Sequence, residues 1–389
     1  MLSLKFFVVC LFSLNAQASW KLGEPRVWVS RGVRIDSIVP QASNNNVSIE
    51  RFAGKLFLAW RSSKDHFASK DTVTYVVHSG DEGKTWKKDL GFSIGADVRE
   101  ALLKSFAGKL HLFYFEAGSE ATSFDPKRVV HRVRLGEGVW SEPAAITGPG
   151  EVVWDIKEHA GNLYKLSYQG PHYSFSPPTL LVKFEQSLDG FAWTPVDGAK
   201  DSVVYRGGVS EVAIEFDEEG NLYGVGRNED GDTTGFGTQL FTAKASQLSK
   251  WTHLKQSLPV RYDSPRMFRH QGRVYLLSRH ASRPFDRGMD FLPFNVRRWL
   301  YLGLYSLNTI RTALFELNTK TLALERITDL PSAGDNSFPS VVAMEANRFL
   351  VANYSSPLVH ADWSWIRGQK SDEGTQIYGI DLRWVMEPK

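Results

Sequence analysis

The sequence predicts an all-β fold, a six-bladed β-propeller, from three observations. Six segments repeat a turn residue followed by an apolar strand. Two polar turns share the order Ser-x-Asp, Gly, Trp. The chain, at 389 residues, is long enough for one large ring of sheets.

The first element is a leader. Residues 1–18 read as a secretory signal peptide, with Lys5 as the positive start, Phe6 to Leu14 as the apolar core and Ala16-Gln17-Ala18 as a small-x-small cleavage site. The apolar run is too short to span a bilayer. Cleavage after Ala18 leaves residues 19–389 as the propeller. The single cysteine, Cys10, lies inside the apolar core and leaves with the leader; a lipid-anchor role for it is the lesser alternative. The mature chain then has no thiol for a disulfide, a metal or a nucleophile. The expected location is secreted or periplasmic.

Apolar residues make up 42% of the chain and aromatic residues 13%, which supplies a sizeable core. Net charge is only +3, with no basic block, so nucleic acid is excluded as a partner. No later segment has the length and hydropathy of a membrane span. Neither a metal-ligand spacing nor a Gly-rich phosphate loop is present, so no cofactor is expected. The chain is read as a monomer.

The repeat comes next. The turn residues fall at Gly54, Gly108, Gly161, Gly220, Gly272 and Asn347, spaced by 52 to 59 residues and finally by 75. Each marks a hairpin from an inner strand to a second apolar strand, as in Phe52-Ala53-Gly54-Lys55-Leu56-Phe57-Leu58. A period near 50 with several strands per unit means propeller blades; a β-sandwich with accidental spacing is the bland alternative. The last step is long because residues 283–311 insert an Arg- and aromatic-rich segment, helix or loop. Residues 376–384 are expected to close the ring against the N-terminal run Arg26 to Val29, since an open edge invites aggregation.

The two polar turns are Ser79-Gly80-Asp81-Glu82-Gly83-Lys84-Thr85-Trp86 and the shorter Ser187-Leu188-Asp189-Gly190-Phe191-Ala192-Trp193. Ser and Asp side chains can bond backbone N–H groups across such a turn. The first resembles the Asp-box (BNR repeat) of the sialidase, or neuraminidase, superfamily, and the second resembles a degenerate copy. The resemblance implies a sialidase-like propeller, with these turns on its rim and away from the chemistry.

A propeller gathers the loops that enter its inner strands at one mouth, whatever their distance in sequence. That geometry assembles Arg61 and Asp65 from blade one, Asp97 and Arg99 from blade two, and Trp154 from blade three. Blade four adds Glu211 and Arg227, and blade five adds Tyr262, Arg266 and Arg279. Carboxyl pairs with aromatic platforms suit glycoside chemistry, and arginines suit an acidic sugar. Under the resemblance, Asp65 falls at the family's acid/base position, while Glu211 and Arg227 fall at its Glu and a triad arginine. The family's nucleophilic Tyr falls at Phe338, and the stretch that carries the first triad arginine reads Asn44 to Ser48. Tyr262 is the substitute nucleophile. The expected function is a divergent glycoside hydrolase acting on a glycan or glycoconjugate. The alternatives are a non-catalytic carbohydrate-binding propeller and an envelope scaffold using residues 283–311.

Overall fold

The computed structural model describes residues 17–387, apart from 122, 174–178 and 282–288. Most of the expected leader therefore lies outside the described residues. The strands form six antiparallel sheets. Their first strands are Ser43–Phe52, Asp97–Phe106, Glu151–His159, Ser210–Phe216, Asp263–His270 and Asn336–Glu345. Each lies against the next, and the sixth lies against the first, so the sheets close a ring of six blades.

The hairpins fall where the repeat places them. Four turn on residue pairs that both take positive φ: Ala53 and Gly54, Ala107 and Gly108, Ala160 and Gly161, and Gln271 and Gly272. This backbone matches the right-handed twist of the flanking strands, and glycine at the second place adopts it without strain. Six apolar clusters fill the gaps between neighbouring blades. Ile49 and Leu58 of blade 1 meet Leu350 and Tyr354 of blade 6, for example, and Ala213 and Val225 of blade 4 meet Leu276 and Phe315 of blade 5.

Closure uses both ends of the chain. The strand Gln376–Glu387 of blade 6 pairs with Gln17–Leu22 and with Arg26–Val29. The outermost strand thus begins two residues inside the segment read as leader, and its remaining residues, Ser19–Leu22, lie beyond the expected cleavage site. The Trp28 indole lies on Gly379 and beside Gly83, edge-to-face with Trp86 at 5.2 Å.

Both Ser-x-Asp turns are hydrogen-bonded internally. Ser79 Oγ accepts the Gly83 N–H at 2.8 Å, and Asp81 accepts the Thr85 N–H at 2.9 Å. Ser187 Oγ accepts the Gly190 N–H at 2.8 Å, and Asp189 accepts from Phe191 and Ala192. Strand polarity puts these turns on the face of the inner hairpins, opposite the mouth.

Within the segment 283–311, residues 283–288 lie outside those described, and the remainder contains the helix Phe294–Leu307. It buries Arg298, Tyr301 and Tyr305. A second short helix, Trp365–Lys370, packs beside it through Trp365 and Tyr305. No helix among the described residues is long and apolar enough to cross a membrane.

Candidate functional site

Every innermost strand is interrupted by a β-bulge near its start. The register shifts fall between Asn45 and Ser48, Arg99 and Leu102, Val153 and Asp155, Ser210 and Val212, Asp263 and Arg266, and Ser337 and Ser340. Five bulges hold a non-glycine residue at positive φ: Asn46, Glu100, Glu211, Ser264 and Phe338, between 46° and 53°. Such backbone is strained, and bulges re-aim side chains. Here they bring bulge residues of different blades together: Asn46 with Glu100, and Trp154 with Phe338.

Contacts across blades show the convergence. Trp154 of blade 3 meets Phe338 of blade 6 with ring centroids 5.1 Å apart. The Trp154 Nε1–H donates to the Pro265 carbonyl at 3.1 Å, and Arg266 donates to the Trp154 carbonyl at 2.6 Å. The Arg266 guanidinium also lies over the Trp154 ring at 4.5 Å. Among the described residues Arg266 forms no ion pair. Burial lowers its pKa, against the pull of Asp155, Glu100 and Glu211.

Glu100 and Glu211 face this floor. Asn46 Nδ2 is 3.4 Å from Glu100 Oε1, while Glu100 Oε2 is shut off from solvent without a hydrogen-bond partner. Burial pushes the Glu100 carboxyl up to about 8, and the negative charge of Glu211 adds to the rise; Arg266, Arg99 and Arg227 act against it. Glu211 is fully engaged, accepting from Arg227 Nη1 and from the Ser264 N–H at 3.0 Å.

Behind Glu211 sits a buried cluster of charges. Arg227 is flanked by Glu211 and Glu229, with Asp263 at 3.5 Å. Arg261 bonds Glu229 at 2.6 Å and Asp263 at 2.5 Å and lies over the Tyr305 ring. Arg279 reaches Asp263 at 3.7 Å and donates to the Asn336 carbonyl. The Tyr173 hydroxyl donates to Glu229 at 2.8 Å and accepts from Arg227 at 3.2 Å. Burial pushes the Tyr173 hydroxyl well above its ordinary range, with Arg227 opposing.

A second network spans blades 1, 2 and 6. Arg61 Nε donates to the buried Asp97 at 2.8 Å, and Arg99 takes the other carboxylate oxygen. Burial opposes ionisation of Asp97, but Arg99 and Arg61 outweigh it and hold the carboxyl below its usual range. Burial, with the like charge of Arg99, lowers Arg61 to about 10. Arg61 also donates to the carbonyls of Asp65 and Phe67, and Arg99 to that of His66. Asp65 Oδ1 accepts the Phe67 N–H at 2.9 Å, and His66 Nδ1 meets Asp335 at 2.7 Å.

The sequence-predicted residues thus separate into groups. Glu211, Arg227 and Arg279 share the buried cluster. Arg61, Asp97 and Arg99 form the frame under the Asp65 loop. Trp154 and Arg266 stand together at the axis. Tyr262 joins none of them: its ring packs edge-to-face on Phe315 at 4.9 Å, in the apolar layer between blades 4 and 5. Sequence reasoning assigned no role to Glu100, Glu229, Arg261 or Tyr173. Glu100 was within reach, because it stands one residue after Arg99, ahead of the apolar run of its strand.

Comparison with solved structures agrees with the ring. A Dyadobacter fermentans protein of unknown function superposes with a TM-score of 0.64 at 14% identity, covering 94% of this chain and 99% of that one. The α-L-arabinanase of Penicillium chrysogenum, solved with arabinobiose, gives 0.57 at 15% identity, covering 92% and 98%. Trypanosoma rangeli sialidase, in complex with sialic acid, gives 0.57 at 12% identity, covering 94% of this chain and 58% of that one. At such identities the likeness establishes the fold: a six-bladed, sialidase-like β-propeller. No protein-family model and no curated protein matches the sequence.

Proposed function

We propose that the protein is an exported propeller that binds a glycan at its axial mouth and hydrolyses a glycosidic bond there. The observation that carries the reading is the pair Glu100 and Glu211: two carboxyl groups on equivalent bulges, one with a buried oxygen that has no donor and one with donors on both oxygens. Pairs of acids in such unequal surroundings divide acid and base roles. Glu100, protonated at neutral pH, donates its proton to the glycosidic oxygen as the C–O bond breaks. Glu211 is the second carboxylate, facing the positive charge that develops at the anomeric carbon; water then adds to that carbon, and its proton returns to the Glu100 carboxylate. Trp154, buried against Phe338, supports Arg266 from below, and Arg266 hydrogen-bonds the sugar. Asp65 shapes the rim through its loop. The fold shared with an arabinanase and a sialidase supports a glycan as substrate.

Arg61, Arg99, Arg227, Arg261 and Arg279 are already paired with protein carboxylates. Arg266 is left as the mouth's guanidinium for a ligand, which favours a sugar with one anionic group or none. The test is hydrolysis of a panel of aryl glycosides by wild type, Glu100→Gln, Glu211→Gln and Asp65→Asn. The reading expects loss in the first two variants and partial retention in Asp65→Asn. Turnover by Glu100→Gln at the wild-type rate rejects it. A second reading, a carbohydrate-binding propeller without turnover, is favoured by Phe338 standing at the family's tyrosine position. Glycan capture without product in every variant selects it. Export is tested by cell fractionation, with a mature N-terminus at Ser19 as the expected result.

A further inference from the structure

We propose that a cavity beside the axis is a second binding site, and that it takes an apolar group, an aromatic ring or an acyl chain, carried by the same glycoconjugate whose sugar occupies the axis. The proposal rests on the axial reading above for the identity of the molecule, though not for the cavity itself.

The cavity has a volume of about 940 Å³. It lies among the strands Leu180–Ser187 and Val203–Gly207 of blade 3, the hairpin tip at 232–237 in blade 4, the connection 256–261 and the helix Phe294–Leu307. Its inner wall contains Glu229 and Arg261, the same side chains that hold Arg227 against Glu211. One layer of side chains therefore separates the cavity from the axial acids.

The chemistry of the walls decides the class of ligand. The charged groups of the walls are spent on the protein itself. Asp232 accepts from the Tyr205 hydroxyl at 2.7 Å and from the N–H groups of Gly208 and Thr234. Glu229 is supplied by Tyr173, Arg261 and Arg227. Arg297 at the rim is paired with Asp290, and Arg206 with Asp201. Beside Thr179, Thr233, Gln256 and Asn295, the larger part of the exposed wall is apolar: Leu181, Pro259 and a cluster in which Phe236 meets Phe294 at 5.1 Å and Tyr301 at 5.0 Å. A buried sugar hydroxyl needs a hydrogen-bond partner, and walls of this kind offer few. Size and lining match a small-molecule site for an apolar group.

The test is a fluorescence titration of the full chain with 4-methylumbelliferone, with 1-decanol as the aliphatic competitor. The expected result is saturable binding that weakens about tenfold or more in Leu181→Trp and Gln256→Trp, which fill the cavity, and is unchanged in Glu100→Gln. Gln256 is exposed, so its variant keeps the test open if Leu181→Trp misfolds. Absence of saturable binding to wild type, or equal binding by both tryptophan variants, overturns the proposal. Probe binding that the tryptophan variants abolish, with no glycoside hydrolysed by any form, supports the cavity and rejects the hydrolase reading alone.

Discussion

Glu100 and Glu211 hold the same place in two blades, each on the bulge of an innermost strand with φ of 53° and 46°. Their surroundings differ in one respect. Glu211 receives Arg227 and the Ser264 N–H, whereas Glu100 has a buried oxygen with no donor. One backbone device, repeated around a ring, has produced two acids of different character.

The first prediction concerns pH. Burial pushes the folded Glu100 carboxyl up to about 8, above its unfolded value. Folding is therefore favoured by this group below about 4.3, and that contribution is lost as pH rises toward the folded value. Melting temperatures of wild type and Glu100→Gln should diverge between pH 5 and 9, with the variant gaining relative to wild type. Coincident profiles reject the perturbed carboxyl. If the hydrolase reading holds, kcat/KM should fall as pH rises through about 8, and Glu100→Gln should lose about 100-fold or more.

Asp97 carries two arginines. Asp97→Asn leaves the buried Arg61 without its counter-charge and cuts one partner of Arg99. The expected cost is about 3–5 kcal/mol, because an unpaired buried charge is left behind. Chemical denaturation measures it. The loop at 65–67, which both arginines hold by its carbonyls, should become more sensitive to protease in the same variant.

Trp154 and Phe338 should be energetically coupled. Trp154→Ala removes a fully buried indole and is expected to cost about 3–5 kcal/mol. A double-mutant cycle with Phe338→Ala should give a coupling of about 0.5–1.5 kcal/mol, the range for ring pairs beyond area burial. Additive effects would show that the two rings do not support one another.

Gly379→Ala tests the closure. A methyl group there collides with the Trp28 indole, which is confined on its other side by Gly83 and Trp86. The expected result is early loss of amide protection in Gln17–Leu22 and Arg26–Val29 on hydrogen exchange, ahead of the other blades. Uniform protection across all six sheets would locate closure elsewhere.

The ring was legible in the sequence because its hairpins announce themselves. Gly54, Gly108, Gly161 and Gly272 occupy turn positions with positive φ, and the apolar strands after them are continuous. The closing strand and its N-terminal partner were legible for the same reason. The bulges were not. Glu100, Glu211 and Ser264 carry no local signature for a left-handed backbone, and only their place in the ring holds them there. Tyr262 was misleading in the opposite way: it lies next to Asp263, which joins the charge cluster, but alternation along the chain turns its ring into the apolar layer. The Tyr173–Glu229 contact joins blades 3 and 4 across 56 residues, beyond the reach of any local pattern.

The ring-to-ring contact of Trp154 with Phe338 joins blades that are not neighbours. It acts as a tie-rod through the hub, so the wheel cannot widen on one side without dragging the other.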